Sequence, residues 1–388
     1  MNPNRLQNQR GMVLFSSLAI LSVLLTVGIA IRVMLQNDYR VLGNLRGGTE
    51  AFYFSVAGLE WGKNEIVQSA SFPPAPADQT RNFASGAFSV SFISPATVGP
   101  LSARIVVRSV GTIGASSHTL QARLTKTYDL ADAALGLRGN ASRVRLGDNP
   151  IFISGVDHEA ATGSAFPQAQ SRPAVSTSDE AQRQLVHDAM GDPPREGILE
   201  SGSDAPALSS SSYLSSSMVS QLSNSLCGSA GVVVTTIPEG GSLSLQDQTW
   251  GSRDAPQLRC VQGLQTSGDG LTLGGTVTGA GILIIKDADL ILTGAFRWEG
   301  LIIVTGDQVG LRIAGPSSKE ILGALVVNET GIHGSDTHIV DIQGNLRLLF
   351  SRQALSQAAG LMPNSILNGT YTTLPSVISQ QYWRAVNP

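Results

Sequence analysis

Apolar and polar positions divide the chain into stretches of different period. Residues 12–31 read MVLFSSLAILSVLLTVGIAI without a charge; at 1.5 Å rise per residue this run matches the ~30 Å core of a bilayer. Past Arg32, residues Val41, Leu45, Phe52, Val56, Leu59 and Ile66 recur at three-, four- and seven-residue spacings, which keeps them on one helical face. The pattern predicts a helix over 12–71, membrane-spanning first and amphipathic afterwards, stopped by Pro73 and Pro74. Gly43, Gly47 and Gly48 predict a bend or melted stretch within it. Phe52, Tyr53, Phe54 and Trp61 read as anchors into a core.

The period then changes to two. Residues 73–80 read as a linker, and AFSVSFIS (87–94), ARIVVRSVG (103–111) and TLQARLTKTY (119–128) alternate apolar with polar. Three antiparallel strands over 80–130 are expected, lying on the exposed half of the helix. A second β region over 135–350 opens with RVRLGDNPIFISG (143–155) and loses periodicity over 160–226. That interval reads as an insertion with short helices at 178–190, capped by Ser178, and at 212–226. Beyond it Gly270, Gly281, Gly300, Gly310 and Gly323 punctuate short apolar strands, a rhythm that predicts a β-solenoid, with a β-sandwich as the competing architecture. Runs 282–285 and 301–304 are apolar at every position, so both faces of those strands need cover; the insertion is expected to supply it. Residues 351–388 read as a C-terminal tail. The fold class is α+β and mostly β.

Only 14% of the residues are charged and the net charge is −3. No basic stripe is visible, so no nucleic-acid partner is expected. A hydrophobic fraction of 42% excludes a disordered chain despite 42 glycines. Cys227 and Cys260 form no CxxC pair and have no histidine at metal-ligand spacing. In an oxidising compartment they are either a disulfide, worth about 3 kcal/mol on the loop-entropy model, or two buried thiols.

The first eleven residues are polar, carry Arg5 and Arg10 and no acid, and end in Gly11. A positive flank holds this end in the cytoplasm and sends the remainder across the membrane. In a secretory signal peptide the small residues follow the apolar run; here Gly11 precedes it. That order resembles the type III signal of type IV prepilins and pseudopilins. The resemblance implies a leader over 1–11, cleavage by prepilin peptidase between Gly11 and Met12, and N-methylation of Met12. Major pilins carry glutamate at the fifth mature position, whereas this chain has Ser16; the departure points to a subunit at the tip or in the initiating complex.

Asn44, Arg46, Ala51, Phe52, Ala57, Gly58 and Leu59 are similar to the Asn-x-Arg and Ala-Gly-Leu elements of the PilX family of pilus assembly proteins, with Ser55 and Val56 departing from the pattern. The resemblance covers about the first sixty residues. It implies a minor pilin that takes part in initiating type IV pilus assembly, single-pass in the inner membrane with its C-terminal domain periplasmic, then displayed on the pilus. Implied partners are other minor pilins, the major pilin, prepilin peptidase and the inner-membrane assembly platform.

Chemistry is sparse. Asp157, His158 and Glu159 stand together, as do His187 and Asp188, without a metal-ligand spacing. His333 and His338 read as solvated loop residues, and Gly268, Asp269 and Gly270 do not recur as a calcium repeat. Asp287, Asp289, Glu299 and Asp307 fall singly or near turns, unlike the paired acids of a glycan-cleaving groove. No catalytic, cofactor-binding or metal-binding residue is expected, and the chain is read as a non-enzyme. Two rivals stay open: the tip pseudopilin of a type II secretion system, and a membrane-tethered β-solenoid glycan binder or enzyme.

Overall fold

A computed structural model describes residues 4–386 except 70–73, 100, 141–142, 167–170, 192–196, 203–204, 212, 239–240, 265–269, 332–339 and 364–375. Helix α1 (Asn4–Gln68) is continuous over 65 residues. No melted stretch interrupts it: open space surrounds Gly43 and Gly48, while Gly47 is where the helix first meets the sheet, since a Cβ there would stand 2.7 Å from Ser116 Oγ. The polar residues from Asn4 belong to the helix too.

The second half of α1 lies on a five-stranded antiparallel sheet ordered β1 (Gln79–Asn82), β2 (Ala87–Gly99), β3 (Ser102–Ile113), β4 (Ser116–Tyr128) and a closing strand, Ser376–Ala385. The sequence pattern finds the middle three strands. β1 falls partly in the expected linker, and the closing strand, with α4 (Arg352–Ala359), replaces a featureless tail. Alternation puts Phe88, Val90, Ile105, Val107, Ala122 and Leu124 against Leu59 and Ile66 of the helix. The helix face they meet is small and apolar: Ala51, Ser55, Gly58, Leu59, Gly62 and Ile66 are all buried. At Gly111 of β3 a Cβ would overlap the Ala51 carbonyl, so backbone meets backbone there. Phe54 and Trp61 pack on this core, whereas Tyr53 is exposed.

The strands between Leu135 and Phe350 pair with one another in parallel. One sheet of six short strands runs Ser242–Gln246, Gly270–Gly274, Asp289–Leu292, Leu311–Ile313, Val340–Ile342, Val144–Leu146. A sheet of twelve is built around three long strands, Thr276–Lys286, Ala295–Gly306 and Lys319–Glu329. Each long strand turns a corner at a glycine in register with the next: Gly281, Gly300 and Gly323, at φ +117°, +133° and +137°. These glycines therefore lie inside strands, not ahead of them. A Cβ on Gly300 would overlap the carbonyl of Gly281, and one on Gly323 that of Gly300, so the corners stack only as glycine.

The order of strands in this sheet is not the order in sequence. Leu135–Gly139 pairs with the late strand Lys319–Glu329 on one side and with Val175–Thr177 on the other. The chain next reaches the opposite edge, where Val233–Thr236 pairs with Gln257–Gln262. Helix α3 (Ser216–Cys227) makes that crossing. It begins where Asn328 donates to the Ser216 carbonyl (3.1 Å), packs over the three long strands, and ends with Cys227 disulfide-bonded to Cys260. Its length of about 16 Å matches three strand spacings of about 4.8 Å. Helices α3 and α4 lie against the long strands, and runs 282–285 and 301–304 are fully buried. Helix α2 (Glu180–Ala189) is capped by Asp179 rather than Ser178.

Ion pairs tie this body to the first sheet. Asp129, one residue past β4, accepts from Arg172 and from Arg352 Nε (2.7 Å), and Asp132 holds the fully buried Arg138 at 2.6 Å. Substituting Gly300→Ala is expected to destabilise the chain by at least about 2 kcal/mol, read as a fall in thermal midpoint in detergent. The same change at Gly114, where nothing stands within 4 Å of a Cβ, retains only the cost of its positive φ and is expected to do less.

Candidate functional site

Every residue from Val13 to Arg46 is exposed, including Phe15 at 75% and Leu24 at 64%. The stretch is long and apolar enough to cross a membrane. Its hydroxyls turn inward: Ser17 donates to the Leu14 carbonyl (2.9 Å), Ser22 to Ala19 (2.8 Å) and Thr26 to Ser22 (2.5 Å). With those donors satisfied inside the helix, the rod presents hydrocarbon to its surroundings and suits a lipid or protein solvent equally. Between Arg32 and Gly47, where the sheet begins, α1 stands free for about 22 Å.

The far end of α1 is held by one cation. Lys126 of β4 is 2% exposed and donates to the carbonyls of Ile66 (2.8 Å), Val67 (2.9 Å) and Ser69 (3.1 Å). These belong to the last turn and the residue past it, where carbonyls lack helical partners and the macrodipole is negative. Burial pushes the Lys126 ammonium down to about 8 against the pull of those carbonyls. Tyr128, whose ring lies 4.9 Å from Lys126 Nζ, is pushed up to about 12 by burial. Sequence reasoning missed Lys126, although a lysine at an inward position of an alternating strand was the available signal.

The residues singled out in the sequence lie apart. Gly11 and Met12 are near the free end of α1, Ser16 one turn on and exposed, and Cys227 and Cys260 in the body, with Cα atoms 5.6 Å apart. Asp157 is consumed in structure: it accepts from the Arg352 backbone (2.9 Å), and burial raises its pKa against the opposing pull of Arg352. His158 Nδ1 lies 2.6 Å from the Val156 carbonyl, Glu159 accepts from Thr162, and His187 has its neighbour Asp188 at 3.7 Å. Glu299 is paired with Arg253 and Arg297, and Asp287 with Lys286. His333, His338, Gly268 and Asp269 lie outside the described residues. Among the described residues no three His, Cys, Asp or Glu side chains group as a metal site.

No family model and no curated protein matches the chain. Among solved structures, the competence-associated pilin ComZ from Thermus thermophilus is similar at 11% identity, over 88% of this chain and 98% of that one, with a TM-score of 0.23. At that score the superposition carries no argument, and α1 is read from its own chemistry.

Lys126→Met is expected to leave the helix carbonyls unpaired and to cost about 2 kcal/mol in denaturant unfolding of the detergent-solubilised chain. The pH dependence has a definite sign. An unfolded lysine titrates near ~10.4, so between about 8 and that value the folded chain binds fewer protons and stability rises with pH. Between ~10 and about 12, Tyr128 reverses the slope, because the unfolded tyrosine loses its proton first. The rising limb is expected to vanish in Lys126→Met.

Proposed function

We propose that this chain is a minor pilin, similar to the PilX type, that takes part in initiating type IV pilus assembly and is carried at the pilus tip. The observation that supports the reading is the division of α1: its C-terminal half is packed on an antiparallel sheet, while its apolar N-terminal half is bare and internally satisfied. Such a rod moves from lipid to a bundle of like helices without changing how deeply it is buried, only what buries it. Cleavage between Gly11 and Met12 frees that rod from its cationic leader. Serine at position 16 leaves no side-chain charge to neutralise the amine of a following subunit, which suits a subunit with none docked above it.

In this reading the chain sits first in the inner membrane, N-terminus inside, and meets prepilin peptidase, the assembly platform and other pilins. The parallel body, a β-solenoid in this view, is the part displayed outward. Mass spectrometry of protein from cells with an active prepilin peptidase is expected to find an N-methylated Met12 at the mature N-terminus, and the Gly11→Val variant is expected to keep its leader. A wild-type chain that still begins at Met1 would sink the proposal. Deletion is expected to reduce piliation and leave exoprotein secretion intact; the reverse outcome assigns the chain to a secretion pseudopilus.

A further inference from the structure

The face of the first sheet turned away from α1 carries a charge pattern that alternation hides in the sequence. Residues 79–128 hold five of the chain's 26 Lys and Arg and none of its 29 Asp and Glu. Lys126 and Arg81 sit on the α1 side, one capping the helix and the other 5.3 Å over Trp61. The remaining three, Arg104, Arg108 and Arg123, share the outer face with Arg384 of the closing strand. The registers are Arg104↔Thr125, Val106↔Arg123↔Tyr382 and Arg108↔Gln121↔Arg384. Half-buried Val106 is thus flanked along its strand by two arginines and across it by a third, with exposed Ile93 on its other side.

None of the four arginines has an acidic partner among the described residues. Arg384 reaches Gln121 Oε1 at 3.3 Å, and Arg123 stacks 4.9 Å from the Tyr382 ring. The Nε atoms of Arg104 and Arg123 are packed out of solvent without an acceptor. Asp78 lines a hollow with Arg108, but its Oδ1 already accepts from the Phe92 backbone at 2.9 Å. An apolar centre ringed by arginines held in place by packing has the composition of a protein interface.

The complementary charge is present on the same chain. Segment 179–204 holds seven acidic against two basic residues. Within it α2 presents Glu180, which shares its charge with Arg183 one turn on, and Asp188, which accepts from Gln184 at 2.7 Å, with side chains 67% and 63% exposed. We propose that the outer face of the first sheet docks the acidic α2 region of a second copy of this chain, a head-to-tail contact. This goes beyond the pilin reading and stands without it.

The test is sedimentation velocity of the full chain in detergent. Wild type is expected to self-associate, with Kd weakening about tenfold or more when salt rises from about 50 to about 500 mM. Arg104→Gln with Arg123→Gln is expected to remove the association while melting as wild type does. Charge exchange makes the contact specific: Arg104→Glu/Arg123→Glu and Glu180→Arg/Asp188→Arg are each expected to stay monomeric alone and to associate when mixed. A wild type that is monomeric at low salt overturns the proposal. So does an oligomer indifferent to salt and to the arginines, which would be contact through α1. A monomer whose arginine face instead binds a dT20 oligonucleotide overturns it in favour of nucleic acid.

Discussion

The architecture depends on how one half of a helix is gripped so that the other half can be left bare. Helix α1 gives up side-chain volume where it meets the sheet: Ala51, Ser55, Gly58 and Gly62 let backbone approach backbone, and Gly111 accepts the Ala51 carbonyl without a Cβ in the way. Close approach maximises dispersion contact over a short length of helix. Lys126 closes the grip by satisfying carbonyls that the helix end cannot satisfy itself. A buried ammonium is costly unless bonded, and three carbonyl acceptors are what makes it tolerable. Without that grip the exposed apolar rod would have no fixed relation to the rest of the molecule.

The parallel body solves a different problem. The later parts of its long strands, 281–285, 300–305 and 323–329, are buried on both faces, with α3 and α4 lying against those strands, so their sequences are continuous apolar runs rather than alternating ones. Turning such strands through a corner without breaking the ladder requires a backbone conformation that side chains resist, and the column of Gly281, Gly300 and Gly323 supplies it. Because the first strand of the body pairs with one of its last, α3 has to carry the chain across the long strands, and the Cys227–Cys260 bond fastens its far end.

Much of this was legible in the residues. The uncharged run after Gly11, the alternation of β2, β3 and β4 and the glycine-punctuated strands each have a single dominant period, and period is what sequence displays. Other features depend on contacts between distant positions. Gly43, Gly47 and Gly48 read as breakers because propensity counts each residue alone, yet the helix runs through them. The closing strand has few alternating apolar residues and is a strand because β4 offers it an edge. Asp157 stands in the sequence beside His158 and Glu159 without a ligand spacing, and its partner Arg352 lies far along the chain, where only the fold brings the two together. The basic face escaped because its arginines are spread over three strands, and only the register between strands gathers them.

The closing strand also orders events in time. It occupies residues 376–385 and completes the sheet beside β4, so the platform that grips α1 is finished only after the whole parallel body has been made. A chain threaded through a membrane from its N-terminal end would expose the edge of β4 throughout synthesis of the whole intervening body. Unpaired strand edges recruit wrong partners, and distant pairings form slowly. Until residues 376–385 are in place the first sheet is a four-stranded intermediate, and the edge of β4 is the surface that needs shielding.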